Sequence, residues 1–255
     1  MRVVYAYYNP PRVQTMREHL ELALRVFPPG SRLVREGEAL APGFRHLLNL
    51  CILMHDFGKT LFQPVPNQKL SFTGHEAFSG WAVYQLLEGK ETAVEARGKL
   101  GVQTPDTLAC VLAVLLHHHP MNPAIRLGVK KRHITREHVE AFLGSVGDLV
   151  DKHLPVSSSE FKELLLSALN LASGPETAVE GVAVEQVYRV CWGRAWMGGE
   201  PRSRKLLLLL LQGLVAADYE SSRSREPGKP STFSQAVSKF LASYAQPAEP
   251  GWSEG

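Results

Sequence analysis

Seven side chains able to bind a metal stand out in the sequence: His19, the pair His55-Asp56, His75, the pair His117-His118, and Asp218. Most sit at the end or on the inward face of a segment that is otherwise apolar. The His55-Asp56 pair closes the run from Leu47 to Met54, and His117-His118 closes Leu108 to Leu116. His19 lies beside a stripe of Met16, Leu20, Ala23, Leu24 and Phe27. Asp218 follows Leu207 by eleven residues, in helical register with Leu211 and Leu214. A polar group without a partner in such a place costs several kcal/mol, and a buried aspartate protonates unless it is paired. A bound metal would supply the partner.

Taken singly, each residue has a simpler reading: a core histidine held by a hydrogen bond, or an aspartate tying a helix to a loop. Five imidazoles and two carboxylates in equivalent places favour one shared site. Imidazole with carboxylate suits Mn, Fe, Ni, Co or Zn, whereas Mg and Ca prefer all-oxygen shells. The sequence has no Cys-x-x-Cys, which argues against a structural zinc. Seven ligands exceed what one ion with an open position takes. They fit two ions that share a bridging carboxylate, an arrangement that generates hydroxide and holds both oxygens of a phosphoryl transfer. Lys59, four residues after His55, is then placed to meet a phosphate or a developing charge. Its alternative is an ordinary exposed loop lysine.

The elements that must position these groups read as helices. Periodicity predicts a first helix over Val13–Phe27, stopped by Pro28-Pro29-Gly30, and a second over Phe44–Phe57, ended by Gly58. Thr73 with Glu76 reads as a capping box for a helix to Leu87, with His75 in its first turn. Residues 88–104 read as irregular, and Thr104-Pro105 as the N-cap and first position of the helix that ends at His117. Ser157 to Glu160 opens a helix through Leu171, another spans Glu176–Met197, and the last core helix covers Ser203–Ser222. The expected fold is all-α, a single helical-bundle domain over residues 1–225 with a tail over 226–255 that holds a short helix at Phe233–Tyr244 and a frayed end.

Composition narrows the function classes. A 255-residue chain with 44% hydrophobic and 21% charged residues is an ordinary globular protein, and a net charge of +3 permits a nucleic-acid partner without arguing for one. Cys51, Cys110 and Cys191 are odd in number and sit in apolar helical stretches, as expected of reduced thiols in the cytoplasm. The Leu206–Leu211 run is too short to span a bilayer, and no signal-peptide core precedes Pro10-Pro11. A cytoplasmic protein without a membrane partner is expected. Arg126, Lys130, Lys131, Arg132 and Arg136 form a basic cluster. Its Lys130, Lys131 and Arg132 are candidates for guiding a phosphodiester backbone, or simply a solvated face.

The ordered set His19, His55-Asp56, His75, His117-His118, Asp218 resembles the HD phosphohydrolase superfamily. Its flanks resemble one branch: His55-Asp56-Phe57-Gly58-Lys59, Gly74-His75-Glu76 with Ser79 downstream, the adjacent histidines at a helix end, and Ala217-Asp218-Tyr219-Glu220-Ser221-Ser222. These look like the HD nuclease of type I CRISPR interference, here as a stand-alone subunit, and the resemblance covers about residues 5–222. It implies an HD-domain helical bundle with His19, His55, Asp56 and Asp218 on a first metal and His75, His117 and His118 on a second. Asp56 would bridge, Lys59 would assist at the phosphate, and Ser222 would support Asp218. The histidine pair could also be His118-His119, because a third histidine follows.

The activity so implied is metal-dependent cleavage of single-stranded DNA, endonucleolytic and also 3′-5′ exonucleolytic, by metal-activated hydroxide in CRISPR antiviral defence. No phosphate-binding Gly-x-x-x-x-Gly-Lys loop occurs, so a helicase would be a separate partner, together with an RNA-guided surveillance complex. Two rivals share the ligand set: an HD phosphohydrolase of mononucleotides or cyclic nucleotides, and a non-catalytic HD-fold adaptor. His46, His133, His138 and His153 read as ordinary structural or surface histidines.

Overall fold

Helices whose residues are apolar on every side can only exist surrounded by other helices, and two such helices set the architecture. In the computed structural model, which describes residues 3–63, 71–89, 92–118, 128–223 and 231–247, these are α3 (Phe44–Met54) and α6 (Asp106–Leu116). Every residue of α6 is buried. It lies between α4 (His75–Glu88) and α10 (Pro201–Arg223), and α3 packs across it where the Cys51 and Cys110 Sγ atoms meet at 3.0 Å. All three cysteines are free and buried.

Around this centre stand α1 (Met16–Leu24), α2 (Arg32–Leu40), α5 (Thr92–Leu100), α7 (Arg136–His153), α8 (Ser158–Ala168), α9 (Gly181–Cys191) and α11 (Thr232–Tyr244). Two antiparallel pairs complete the described residues, β1 (Tyr5–Asn9) with β2 (Arg12–Thr15) and β3 (Arg132–Thr135) with β4 (Glu176–Val179). The fold is all-α and built around one continuous hydrophobic core. Among the described residues no helix is long and apolar enough to cross a membrane.

Several boundaries differ from the sequence reading for identifiable reasons. Val13 belongs to β2, and α1 starts only at Met16 because Thr15 and Glu18 form a capping box there. Gly58 does not end a helix in the expected way. The chain leaves α3 at His55 and passes through a 3-10 turn, Phe57–Phe62. Thr73 does not cap α4: Gly74, with φ 86°, is the N-cap and provides no side-chain bond. Thr104 likewise does not cap α6, whose N-cap is Pro105.

The charged stretch 88–104 contains α5, and the expected long helix Glu176–Met197 is instead β4, α9 and a π turn over Trp192–Met197. Ser157 and Glu160 do form their capping box. The C-terminal helix is docked, with Phe240 against Phe27 at 6.2 Å between ring centroids and Val237 buried. Arg126 and His119 lie outside the described residues.

Candidate metal centre

Five helices converge on one buried point. α3 delivers His55 as its C-cap, with the His55 N–H still bonded to Cys51 O at 2.9 Å. Asp56 follows at φ −103°, ψ 4°, and its carbonyl accepts the Lys59 N–H at 2.9 Å, which starts the 3-10 turn. That turn runs directly against the start of α4. A Cβ on Gly58 would lie 2.1 Å from His75 O, so only glycine permits the approach. The Gly58 N–H donates to Ser79 Oγ at 2.8 Å, which ties the two elements together. α4 begins with His75, α6 ends at His117, α1 carries His19, and α10 carries Asp218.

The structure brings all seven sequence-predicted ligands together. His19 Nε2 is 3.2 Å from Asp218 Oδ1, 3.4 Å from Asp56 Oδ2 and 3.4 Å from His55 Nε2. His55 Nε2 is 3.5 Å from Asp56 Oδ2 and 3.8 Å from Asp218 Oδ1. His75 Nε2 faces Asp56 Oδ1 at 2.9 Å. His118 completes the group, its ring 5.1 Å from that of His75 and 4.2 Å from that of His117. Three overlapping trios each place their ligand atoms within 4.8 Å of one another: His19–His55–Asp218, His55–Asp56–His117 and His75–His117–His118. Asp56 is the group between the first trio and the last. Its two oxygens point apart, Oδ2 toward His19 and His55, Oδ1 toward His75.

The protonation pattern follows from the outer ring nitrogens. The Nδ1 atoms of His55, His75 and His117 each lie 2.7 Å from a backbone carbonyl, of Ile52, Phe72 and Val114 respectively. A carbonyl only accepts, so each Nδ1 carries the hydrogen and each neutral ring turns a bare Nε2 lone pair inward. His19 is held by a serine instead. Ser221 Oγ–H donates to Asp218 O at 2.8 Å, leaving its lone pairs to accept the His19 Nδ1–H at 3.0 Å. Four Nε2 lone pairs thus converge on the Asp56 and Asp218 carboxylates. Among the described residues Asp56 Oδ1, His75 Nε2 and His117 Nε2 have no hydrogen-bond partner. An acceptor facing an acceptor at 2.9 Å is repulsive unless a cation or a proton lies between them. The donor set therefore fits a divalent transition metal.

Titration behaviour agrees with this crowding. Burial pushes His19 down and His117 far down, and the neighbouring imidazoles of His118 and His55 push His117 further. Burial, with His75 beside it, takes His118 down to about 3. Burial alone would raise both carboxyls, yet His55 and Lys59 hold Asp56 well below its usual range, and the adjacent His19 and His55 imidazoles do the same for Asp218. His55 moves up, because Asp56 and Asp218 outweigh the effect of its burial.

No family model, curated protein or solved structure matches this chain.

Lys59 is not a solvent-exposed loop lysine. It is buried beneath Phe72, with Nζ 2.6 Å from Asp56 Oδ2 and 5.5 Å from the Phe72 ring centre. Ser222 Oγ stands 3.4 Å from Asp218 Oδ1. The closer support comes from Ser221, one residue earlier, which the sequence reading missed. Its signal was available, since Asp218 plus three falls on the same helical face.

The basic cluster is mostly engaged elsewhere. Arg132 stacks on Phe62 at 3.9 Å and donates to Leu61 O, and Lys131 pairs with Glu180 at 3.1 Å, whereas Lys130 is exposed. His133 pairs with Glu176 and His138 caps α7.

Proposed function

We propose that the protein is a metal-dependent nuclease that hydrolyses phosphodiester bonds of single-stranded DNA, by endonucleolytic cuts and 3′-5′ trimming, in CRISPR antiviral defence. The observation that carries the metal-dependent part is the set of inward lone pairs on His19, His55, His75 and His117 around an ionised Asp56. The DNA substrate and the defence role rest on the resemblance of the flanking motifs to the HD nuclease of type I CRISPR interference. A separate helicase subunit and an RNA-guided surveillance complex would present the strand.

His19, His55 and Asp218 would hold one ion, and His75, His117 and His118 the other, with one Asp56 oxygen directed to each. When bound, such ions supply Lewis acidity toward a phosphodiester and lower the pKa of water to near neutrality. The remaining work belongs to the chain. The backbone carbonyls of Ile52, Phe72 and Val114 fix three rings so that their lone pairs stay aimed inward. Lys59 brings a positive charge to the edge of the centre, where it balances Asp56 in the resting protein and stands ready for a phosphate oxygen.

The test is cleavage of labelled single-stranded DNA with Mn²⁺, Ni²⁺ or Co²⁺, beside a panel of mononucleotides and cyclic nucleotides. Loss of cleavage in His55→Ala/Asp56→Ala supports the assignment, and unchanged cleavage by that variant removes it. A chain that binds metal but hydrolyses neither class would be the adaptor.

A further inference from the structure

Far from the metal centre, Tyr188, Trp192 and Trp196 recur at four-residue spacing across the junction of α9 and the π turn. Their rings stack in succession. Tyr188 and Trp192 are 5.9 Å apart at 23°, and Trp192 and Trp196 are 5.7 Å apart at 30°. The π turn explains why the row stays straight. In an α-helix a step of four residues overshoots one turn, whereas the wider i→i+5 winding needs more residues per turn, so the second step falls short of it. The two deviations cancel, and the rings form one ladder. The Gly198 N–H to Gly193 O bond of 2.7 Å is the i→i+5 bond of this turn.

Each ring is partly buried where it packs against the core. Cations frame the ladder. From residue 188 to 205 the chain carries Arg189, Arg194, Arg202, Arg204 and Lys205 against the single acid Glu200. Arg202 is taken by Asp106 and Arg189 by Glu185. Arg204 donates to Trp196 O at 2.7 Å and Met197 O at 3.1 Å, closing the turn. Arg194 and Lys205 are exposed and form no ion pair with another described residue.

Stacked aromatic faces flanked by uncommitted cations match the chemistry that binds single-stranded nucleic acid, with bases on the rings and phosphates on the cations. We propose that Tyr188, Trp192 and Trp196 form a stacking exosite for single-stranded DNA. The choice of DNA rests on the nuclease reading above, whereas the binding itself does not require hydrolysis. Cys191, just before Trp192, interacts with Glu88 at the far end of α4 from His75. By helix rise the exosite is about 20 Å from the metal centre. About six nucleotides at the stacked 3.4 Å rise would bridge the two. The exosite would thus hold a strand while its other end reaches the ions, and would favour substrates longer than about six nucleotides.

The test uses the full chain in EDTA and a labelled twelve-nucleotide oligo-dT, read by fluorescence anisotropy. The Trp192→Leu/Trp196→Leu variant keeps apolar volume against the core and should bind at least tenfold more weakly. In Mn²⁺ it should hydrolyse bis(p-nitrophenyl) phosphate, too small to span the two sites, at the wild-type rate. Should that variant not fold, Arg194→Glu/Lys205→Glu is fully surface-borne. It should weaken binding and lower the slope of log K against log salt by about 1.4. Wild-type affinity in a folded ladder variant and in the charge variant, or no oligo-dT binding by the wild type, overturns the exosite. Binding through the ladder without any metal-dependent hydrolysis leaves the exosite standing and removes the nuclease. Metal-dependent cleavage with ladder-independent binding does the reverse.

Discussion

Asp56 Oδ1 and His75 Nε2 face each other at 2.9 Å, both buried, with no hydrogen to share between them when the His75 ring is neutral. Each is held there by its own backbone: Asp56 by the turn after α3, His75 by the Phe72 carbonyl. The pair is therefore a built-in acceptor clash that binding of a cation relieves.

Asp56→Asn tests that relationship. An amide NH₂ can donate to His75 Nε2 and its carbonyl still accepts from Lys59, so the clash disappears. We expect the metal-free variant to melt no lower than the wild type. Its melting temperature should no longer rise on adding Mn²⁺, since removing a bridging ligand lowers metal affinity by far more than tenfold. Thermal scans with and without the ion check both halves.

Ser221→Ala removes the acceptor of the His19 Nδ1–H without touching a ligand atom. A lost outer-sphere hydrogen bond of this kind typically reduces metal affinity about 10–100-fold. The fold should lose only about 1 kcal/mol, the net worth of one buried hydrogen bond. Titration calorimetry with Ser222→Ala in parallel separates the two serines, and Ser222→Ala should have the smaller effect, because its contact to Asp218 is the long 3.4 Å one.

Gly58→Ala places a Cβ 2.1 Å from His75 O, backbone against backbone. The 3-10 turn must move away from α4, at about 2–3 kcal/mol of stability. Because the movement separates Asp56 from His75, metal affinity should fall together with the urea midpoint. A variant as stable as the wild type would show that the two elements are not in contact.

The candidate ligands were legible in the sequence because polar residues interrupt otherwise apolar runs, and burial leaves them few roles. His55-Asp56 after Met54 and His117 after Leu116 are of this kind. Elements whose order comes from tertiary packing were not legible. α2 and α5 are rich in charge, so their narrow apolar faces were hidden, and Gly74 replaces Thr73 as cap because the chain enters α4 through a left-handed residue. Valine-bearing segments on either side of Glu180 suit strand or helix alike, and only pairing with β3 separates β4 from α9. Ser221 was missed by one residue, since its contact with His19 depends on helix phase and on a partner 202 positions away.

The acid stability of the metal-free chain follows from the shifted groups. His19, His117 and His118 have folded pKa values below the unfolded value near 6.5, so unfolding takes up protons. Their contribution is fully present above about 6.5 and is lost as pH falls toward the folded values, about 3 for His118. Asp56 and Asp218 are depressed, so their contribution is present above about 4 and is lost below it. His55 is raised and acts oppositely, stabilising below about 6.5 and losing this as pH rises through its folded value. Three histidines against one give the net sign. In EDTA the urea midpoint should fall from pH 7.5 to pH 4.5, and a midpoint that rises over this interval would contradict the buried neutral imidazoles.

Seven side chains from five helices meet around Asp56, and on the proposed reading they hold two ions. The most direct measurement is metal content of the full chain after equilibrium dialysis against Mn²⁺ or Ni²⁺, with His75→Ala and Asp218→Ala beside the wild type. About two ions per wild-type chain are expected, falling to about one when either cluster loses a ligand. A wild-type chain that retains no ion at micromolar free metal would contradict it.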